Sequence, residues 1–116
     1  MFREMQRRVL EWRLDCVLHN LTGHLAAMNL AGPCCGPVLA ACTSLALDDA
    51  SFPYLSVREA LIAGVPARML RVGFVGERGY EIHVPADQAL KVWERLFEAG
   101  HKAGIVPFGV EAQRVL

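Results

Sequence analysis

The residues best suited to chemistry lie between Arg71 and Pro85. The run reads Arg71-Val72-Gly73-Phe74-Val75-Gly76-Glu77-Arg78-Gly79-Tyr80-Glu81-Ile82-His83-Val84-Pro85. Two glycines, Gly76 and Gly79, bracket Glu77-Arg78, a composition that suits a hairpin whose backbone needs positive φ. Glu81 then stands inside an otherwise apolar strand, between Tyr80 and Ile82. A carboxylate there is costly unless something donates to it. One carboxylate can accept two parallel N–H bonds, so a flat ligand with adjacent N–H donors would satisfy it. A solvated place at the rim of a sheet is the other reading of the same residue.

The remaining reactive side chains form no constellation of their own. His19 and His24 fall on different predicted strands, and His101 falls in a loop. His83 follows Glu81 by two, which on a strand puts both on one face. None of the histidines stands in a Cys-x-x-Cys or His-x-x-x-His arrangement, so packed or solvated roles are read for them and no metal site. Cys34 and Cys35 sit near a predicted helix N-terminus, a setting that activates thiols. A small hydrophobe in the core is the plainer reading of both. No Ser-His-Asp or nucleophile-elbow pattern occurs. The Gly76–Gly79 turn is no phosphate loop, because no helix follows it directly and no lysine stands on it.

Periodicity supplies the elements that must position these residues. Phe2, Met5, Val9 and Trp12 recur at helical spacing over about residues 1–13, with Glu4–Arg8 and Arg7–Glu11 as i,i+4 pairs on the polar side. Residues 15–19 read as a strand. Residues 24–30 read as a second, apolar on both faces and therefore central. Gly32-Pro33 ends it, and a helix follows to about Thr43 with Cys35, Val38, Leu39 and Cys42 on one face. Pro37 fits only in that helix's first turn. Residues 54–63 read as a strand, Gly64-Val65-Pro66 as a turn, and residues 67–74 as the next strand, leading through the hairpin to 80–84. Residues 87–99 read as an amphipathic helix burying Ala89, Leu90, Trp93, Leu96 and Phe97, with Gly100 as its C-cap. These elements predict an α+β domain: an antiparallel sheet of about five strands with two to three helices on one face.

Composition bounds the function. The chain has 116 residues, 53% of them hydrophobic, and a formal net charge of zero. It can build a core, and its neutral balance argues against a nucleic-acid partner. No run approaches the roughly 18 apolar residues of a membrane span. Arginines near the start are interleaved with Glu4 and Glu11, unlike a transit peptide. Four cysteines without framework spacing point to free thiols and a cytoplasmic setting. Gly109-Val110-Glu111-Ala112-Gln113-Arg114-Val115-Leu116 reads as a helix opening without a C-cap, and the composition is greasy for a free-standing small domain. The reading is therefore a fragment spanning 1–116 of a larger domain, which in isolation would self-associate through exposed apolar surface or be only marginally stable.

Taken in order, these elements resemble a known family. The Phe52-Pro53-Tyr54 element, the Gly76–Glu81 hairpin, the Pro107-Phe108-Gly109-Val110-Glu111-Ala112 element and the Asn29-Leu30-Ala31-Gly32-Pro33 step are similar to the folate-binding aminomethyltransferases. That family includes the T-protein of the glycine cleavage system and the folate domains of sarcosine and dimethylglycine oxidases. The resemblance covers nearly the whole chain, from about Trp12 onward, and marks it as an internal fragment. It implies tetrahydrofolate as cofactor and transfer of a one-carbon unit from a small amine donor to it, with the catalytic aspartate outside the chain and the fragment alone inactive. It implies that Glu81 accepts the donor edge of the pterin, that Tyr54 and Phe74 line its pocket, and that Gln113 stands where the cleavage-system enzymes carry an arginine toward the folate tail. That glutamine, and Phe74-Val75 in place of Tyr-Thr, lean toward the oxidase branch. A non-catalytic folate-binding or structural module is the alternative.

Overall fold

The computed structural model describes residues 1–115. Helix α1 (Phe2–Glu11) is followed by a loop, strand β1 (Leu25–Ala31), helix α2 (Cys35–Ala40), strands β2 (Val57–Ile62), β3 (Val65–Leu70) and β4 (Gly79–Pro85), helix α3 (Ala89–Gly100) and the short helix α4 (Val110–Gln113). The four strands form one antiparallel sheet in the order β1-β4-β3-β2. The α+β layering follows the sequence reading, with one strand fewer. Residues 15–19, expected as a strand, run as unpaired chain. β1 itself is an edge strand, although its apolar run had suggested a central one. Its non-core face is exposed at Leu25, Ala27 and Asn29.

Side-chain alternation builds the core. Val65, Ala67 and Met69 of β3 and Tyr80, Ile82 and Val84 of β4 point to one face, where they meet Cys35, Val38 and Leu39 of α2 and Val92 and Leu96 of α3. Phe52 from the loop before β2 tilts against Tyr80, with ring centroids 5.7 Å apart. In α3 the buried stripe runs Val92–Leu96–Gly100, one helical step from the stripe expected, and Leu90 faces solvent. Gly100 is part of the helix and not its cap. A Cβ there would lie 2.7 Å from Cβ of Ile105, which folds back over it, and the left-handed residue that ends the segment is Gly104. Helix α1 keeps its expected pairs, Arg7–Glu11 at 2.6 Å and Arg8–Glu4 at 3.0 Å, but buries none of its residues.

The turns also differ from expectation. The tight hairpin joins β2 to β3: Ile62 pairs with Val65, and Ala63 and Gly64 both take positive φ, as a two-residue I′ turn requires. Val65 and Pro66 therefore belong to β3. Pro66 sacrifices no ladder bond to β4, because that pairing begins only at Arg68. β2 starts at Val57, later than expected, because Leu55 has a φ of 62° that breaks the extended run. β3 and β4 do form the predicted antiparallel pair. Their connection is a wider loop over residues 71–78, in which Gly76 alone has positive φ.

Candidate functional site

Because Tyr80, Ile82 and Val84 enter the core, Glu81 and His83 must emerge on the sheet's other face. That face is uncovered: Leu25, Val57 and Leu61 on it are exposed. Glu81 lies in register between Asn29 of β1 and Leu70 of β3, and His83 between Ala27 of β1 and Arg68 of β3. The side chains of Glu81 and His83 are 25% and 28% exposed, and Oε1 of Glu81 lies 2.5 Å from Nε2 of His83. Arg68, the cation nearest in register, is turned the other way: its Nε and Nη2 donate to Oε1 of Glu59 at 3.0 and 2.8 Å. Among the described residues, His83 is the one side-chain partner of the Glu81 carboxylate.

An ionised carboxylate offers about four lone-pair sites on two oxygens. Glu81 gives one of them to His83. The rest stay free for a ligand, partly desolvated yet open, which is the setting that a bidentate N–H edge needs.

At the free edge of β1 the chain forms two adjoining hollows; Asn29, the register partner of Glu81, lines both, and Glu81 itself lines neither. The smaller lies between the 71–78 loop and α4 and is lined by Phe74, Gln113, Asn29, Phe108 and Tyr80. The larger, of about 490 Å³, opens at the free edge of β1 against Trp93, Phe97, Pro107 and again Asn29, Phe108 and Gln113. The rings of Trp93 and Phe97 lie tilted at 34° with centroids 4.7 Å apart, on the side of α3 that turns from the core to this hollow. Asn29, Phe108 and Gln113 thus form a shared wall. The structure brings Phe74 and Gln113 together, and places Glu81 one strand away across the Asn29 rung. Tyr54 stands apart: it is exposed, lines neither hollow, and precedes Leu55, whose N–H donates to the carbonyl of Arg71 at the base of the loop.

A polar lattice fixes the loop that carries Phe74. Nε of Arg78 donates to the buried phenol of Tyr80 at 2.9 Å, and Nη2 of Arg78 donates to the carbonyl of Leu47. The Arg78 carbonyl accepts from Gly32 N–H at 3.0 Å and from the Cys35 thiol at 3.1 Å. Arg71 donates to the Phe52 carbonyl at 2.6 Å and pairs with Asp49 at 2.7 Å. Cys35 is consequently a structural donor. Burial pushes its thiol above the ordinary range, outweighing the opposite pull of the Arg78 guanidinium. The four histidines stay dispersed, and among the described residues no three His, Cys, Asp or Glu side chains converge on a possible metal.

Sequence reasoning underused Asn29, Phe108 and His83. Asn29 and Phe108 served only as motif markers. The i,i+2 spacing of Glu81 and His83 carries the signal for their contact, but the rotamers that bring Nε2 within 2.5 Å of Oε1 are set by the tertiary structure.

Comparison with known proteins adds a lineage. The family model for the GCVT N-terminal domain matches residues 1–116. The chain belongs to this family. It is 36% identical over 115 residues to the sarcosine oxidase alpha subunit of Rhizobium meliloti (strain 1021), covering 97% of this chain and 12% of that protein. It is 35% identical to the sarcosine oxidase alpha subunit of Corynebacterium sp. (strain P-1), covering 91% and 11%, and 33% identical to the aminomethyltransferase of Alkaliphilus metalliredigens, covering 91% and 30%. A solved heterotetrameric sarcosine oxidase from Corynebacterium sp. U-96, in complex with pyrrole 2-carboxylate, superposes with a TM-score of 0.68 at 19% identity, over 78% of this chain and 45% of that one. That likeness shows the GCVT-type fold. The chain spans less than a third of the length of these curated relatives. No helix among the described residues is long and apolar enough to cross a membrane.

Proposed function

We propose that this chain contributes one wall of a tetrahydrofolate site in a protein that transfers a one-carbon unit from an amine donor to the folate. The observation that carries the reading is Glu81: a partly buried carboxylate with free acceptor sites on an uncovered sheet face, sharing a rung with Asn29, which lines the hollows of Phe74, Phe108 and Gln113. Glu81 would receive the N–H edge of the pterin. The apolar faces of Phe74 and Phe108 suit a flat ring, and the Gln113 amide suits a polar group on the tail. Tetrahydrofolate itself supplies the nucleophilic nitrogen. The chain's share is to bind and orient it. Among the described residues no aspartate lines either hollow, in keeping with a reading that assigns the proton-handling group to the rest of the parent protein.

The oxidase branch is the favoured version. Gln113 in place of an arginine and Phe74 in place of a tyrosine depart from the cleavage-system pattern, and sarcosine oxidase alpha subunits stand among the most similar relatives. Tyr54 belongs to the proposal only at the periphery, as a residue for a neighbouring segment to bring in.

The test is a calorimetric titration of the full-length protein with tetrahydrofolate. Glu81→Gln keeps the size and replaces one acceptor with a donor facing the pterin's own donors. The expected loss is about 1–3 kcal/mol of binding free energy, the range for a buried polar group left unpaired. Unchanged affinity removes Glu81 from the site.

A further inference from the structure

We infer that His83 is a positioning residue for Glu81: it donates Nε2–H to Oε1 and fixes the carboxylate in the orientation that receives the ligand. The inference rests on the folate-site reading above and extends it to a residue with no contact to the ligand. An ionised carboxylate only accepts, so the hydrogen in the 2.5 Å contact belongs to Nε2. Among the described residues nothing else holds the Glu81 side chain. Its cross-strand neighbours Asn29 and Leu70 make no hydrogen bond to it, and Arg68 is engaged by Glu59. A glutamate on an open face keeps several rotamers, and a bidentate pairing needs one of them. The His83 contact involves Oε1 alone and leaves Oε2 without a side-chain partner among the described residues.

The surroundings suit this role. His83 is three-quarters buried, flanked by Ala27 on one strand and by the stem of Arg68 on the other. It also borders an open hollow lined by Leu21, Leu25, Leu61, Pro66 and Pro85 and by the Glu59 and Arg68 pair. The charged groups on this face are Arg68 and Glu59, already paired at 2.8 Å, and Glu81 itself; β1 presents only Ala27 and Asn29 opposite the pair.

The experiment uses the full-length protein, tetrahydrofolate as probe, and four variants: His83→Leu, His83→Gln, His83→Asn and Glu81→Gln. Glutamine places its amide nitrogen at the ε position and retains the donor. Leucine retains bulk without a donor, and asparagine carries its amide one bond short. His83→Leu and His83→Asn are expected to bind about tenfold more weakly, the worth of a hydrogen bond to a charged group. His83→Gln should stay within about twofold of wild type, and His83→Leu should cost nothing further in the Glu81→Gln background. If Glu81→Gln weakens binding and His83→Leu does not, the positioning role is overturned while the folate site stands. If Gln fails to rescue and binds as weakly as Leu, the donor is not what matters and the role is likewise overturned. If Glu81→Gln leaves affinity intact, the site reading falls and this inference with it.

Discussion

Gly76 in the loop over residues 71–78 and Gly79 at the start of β4 look equivalent in the sequence, and substituting each with alanine separates the reasons for them. At Gly76 a Cβ would meet nothing within 4 Å, but φ is +74°, a conformation that costs an L-residue roughly 1–2 kcal/mol. At Gly79 the backbone is ordinary, and the cost is space. A Cβ would lie 2.8 Å from the Val72 carbonyl oxygen and 3.3 Å from Cα of Gly73. Both are main-chain atoms, so neither can rotate away. Relief requires a shift of several tenths of an ångström at the start of β4, where Gly79 is paired with Ala31. Overpacking of that kind costs about 1–3 kcal/mol. Gly76→Asn should recover most of the Gly76→Ala loss, because asparagine tolerates the left-handed region. Gly79→Asn should be at least as damaging as Gly79→Ala. Urea unfolding of the set, at constant slope, reads these differences directly. If Asn restores stability at Gly79, or if Gly79→Ala is neutral, the close-approach argument is wrong.

Three further outcomes follow from the same region and its supports. Arg78→Met should cost about 1–3 kcal/mol, because it strips the buried Tyr80 phenol of its donor, and adding Tyr80→Phe should cost little more; a urea midpoint equal to wild type would refute this. Hydrogen bonds from Ser51, foremost, and from the backbone N–H groups of Ser51 and Ala50 hold the Asp48 carboxyl below the ordinary aspartate range. Its folded-state value is thus lower than its unfolded one, so its stabilisation is present above the ordinary value and fades as pH falls through the lowered one. Asp48→Ala should therefore narrow the gap between unfolding midpoints at neutral pH and at about pH 3, and an unchanged gap would count against the capping role. Thiol labelling of the native protein with a maleimide should be rapid at the exposed Cys16 and Cys34 and slow at Cys35 and Cys42, whose burial raises both thiols; mass spectrometry showing equal rates would contradict the packing.

Much of the architecture was legible because periodicity reports burial. The alternation Tyr80-Glu81-Ile82-His83-Val84 states which residues enter the core whatever the partner strands are. The stripe Cys35, Val38, Leu39, Cys42 likewise fixed the buried face of α2 and the turn after it. What misled was local chemistry with two solutions. Gly64-Val65-Pro66 and Gly76-Glu77-Arg78-Gly79 both carry turn residues, and only cross-strand register makes the former the tight turn and the latter the wide loop. Trp93, large and apolar at helical spacing, reads as core from the sequence. It instead faces a hollow, because α3 is rotated to seat Val92 on the sheet.

By itself the sequence determined the α+β class, the antiparallel pairing of β3 with β4, the emergence of Glu81 opposite the core, and the ordered motifs by which the chain is placed in its family. These are properties of short-range periodicity and residue type, which survive without knowledge of neighbours. Only the tertiary structure decided that β1 lies at an edge, that Asn29, Phe108 and Gln113 share one wall, that Arg68 is spent on Glu59, and that His83 reaches Glu81. Each of these depends on register between strands distant in sequence, or on the rotation of a helix about its axis. The free energy that selects them comes from packing the whole core at once.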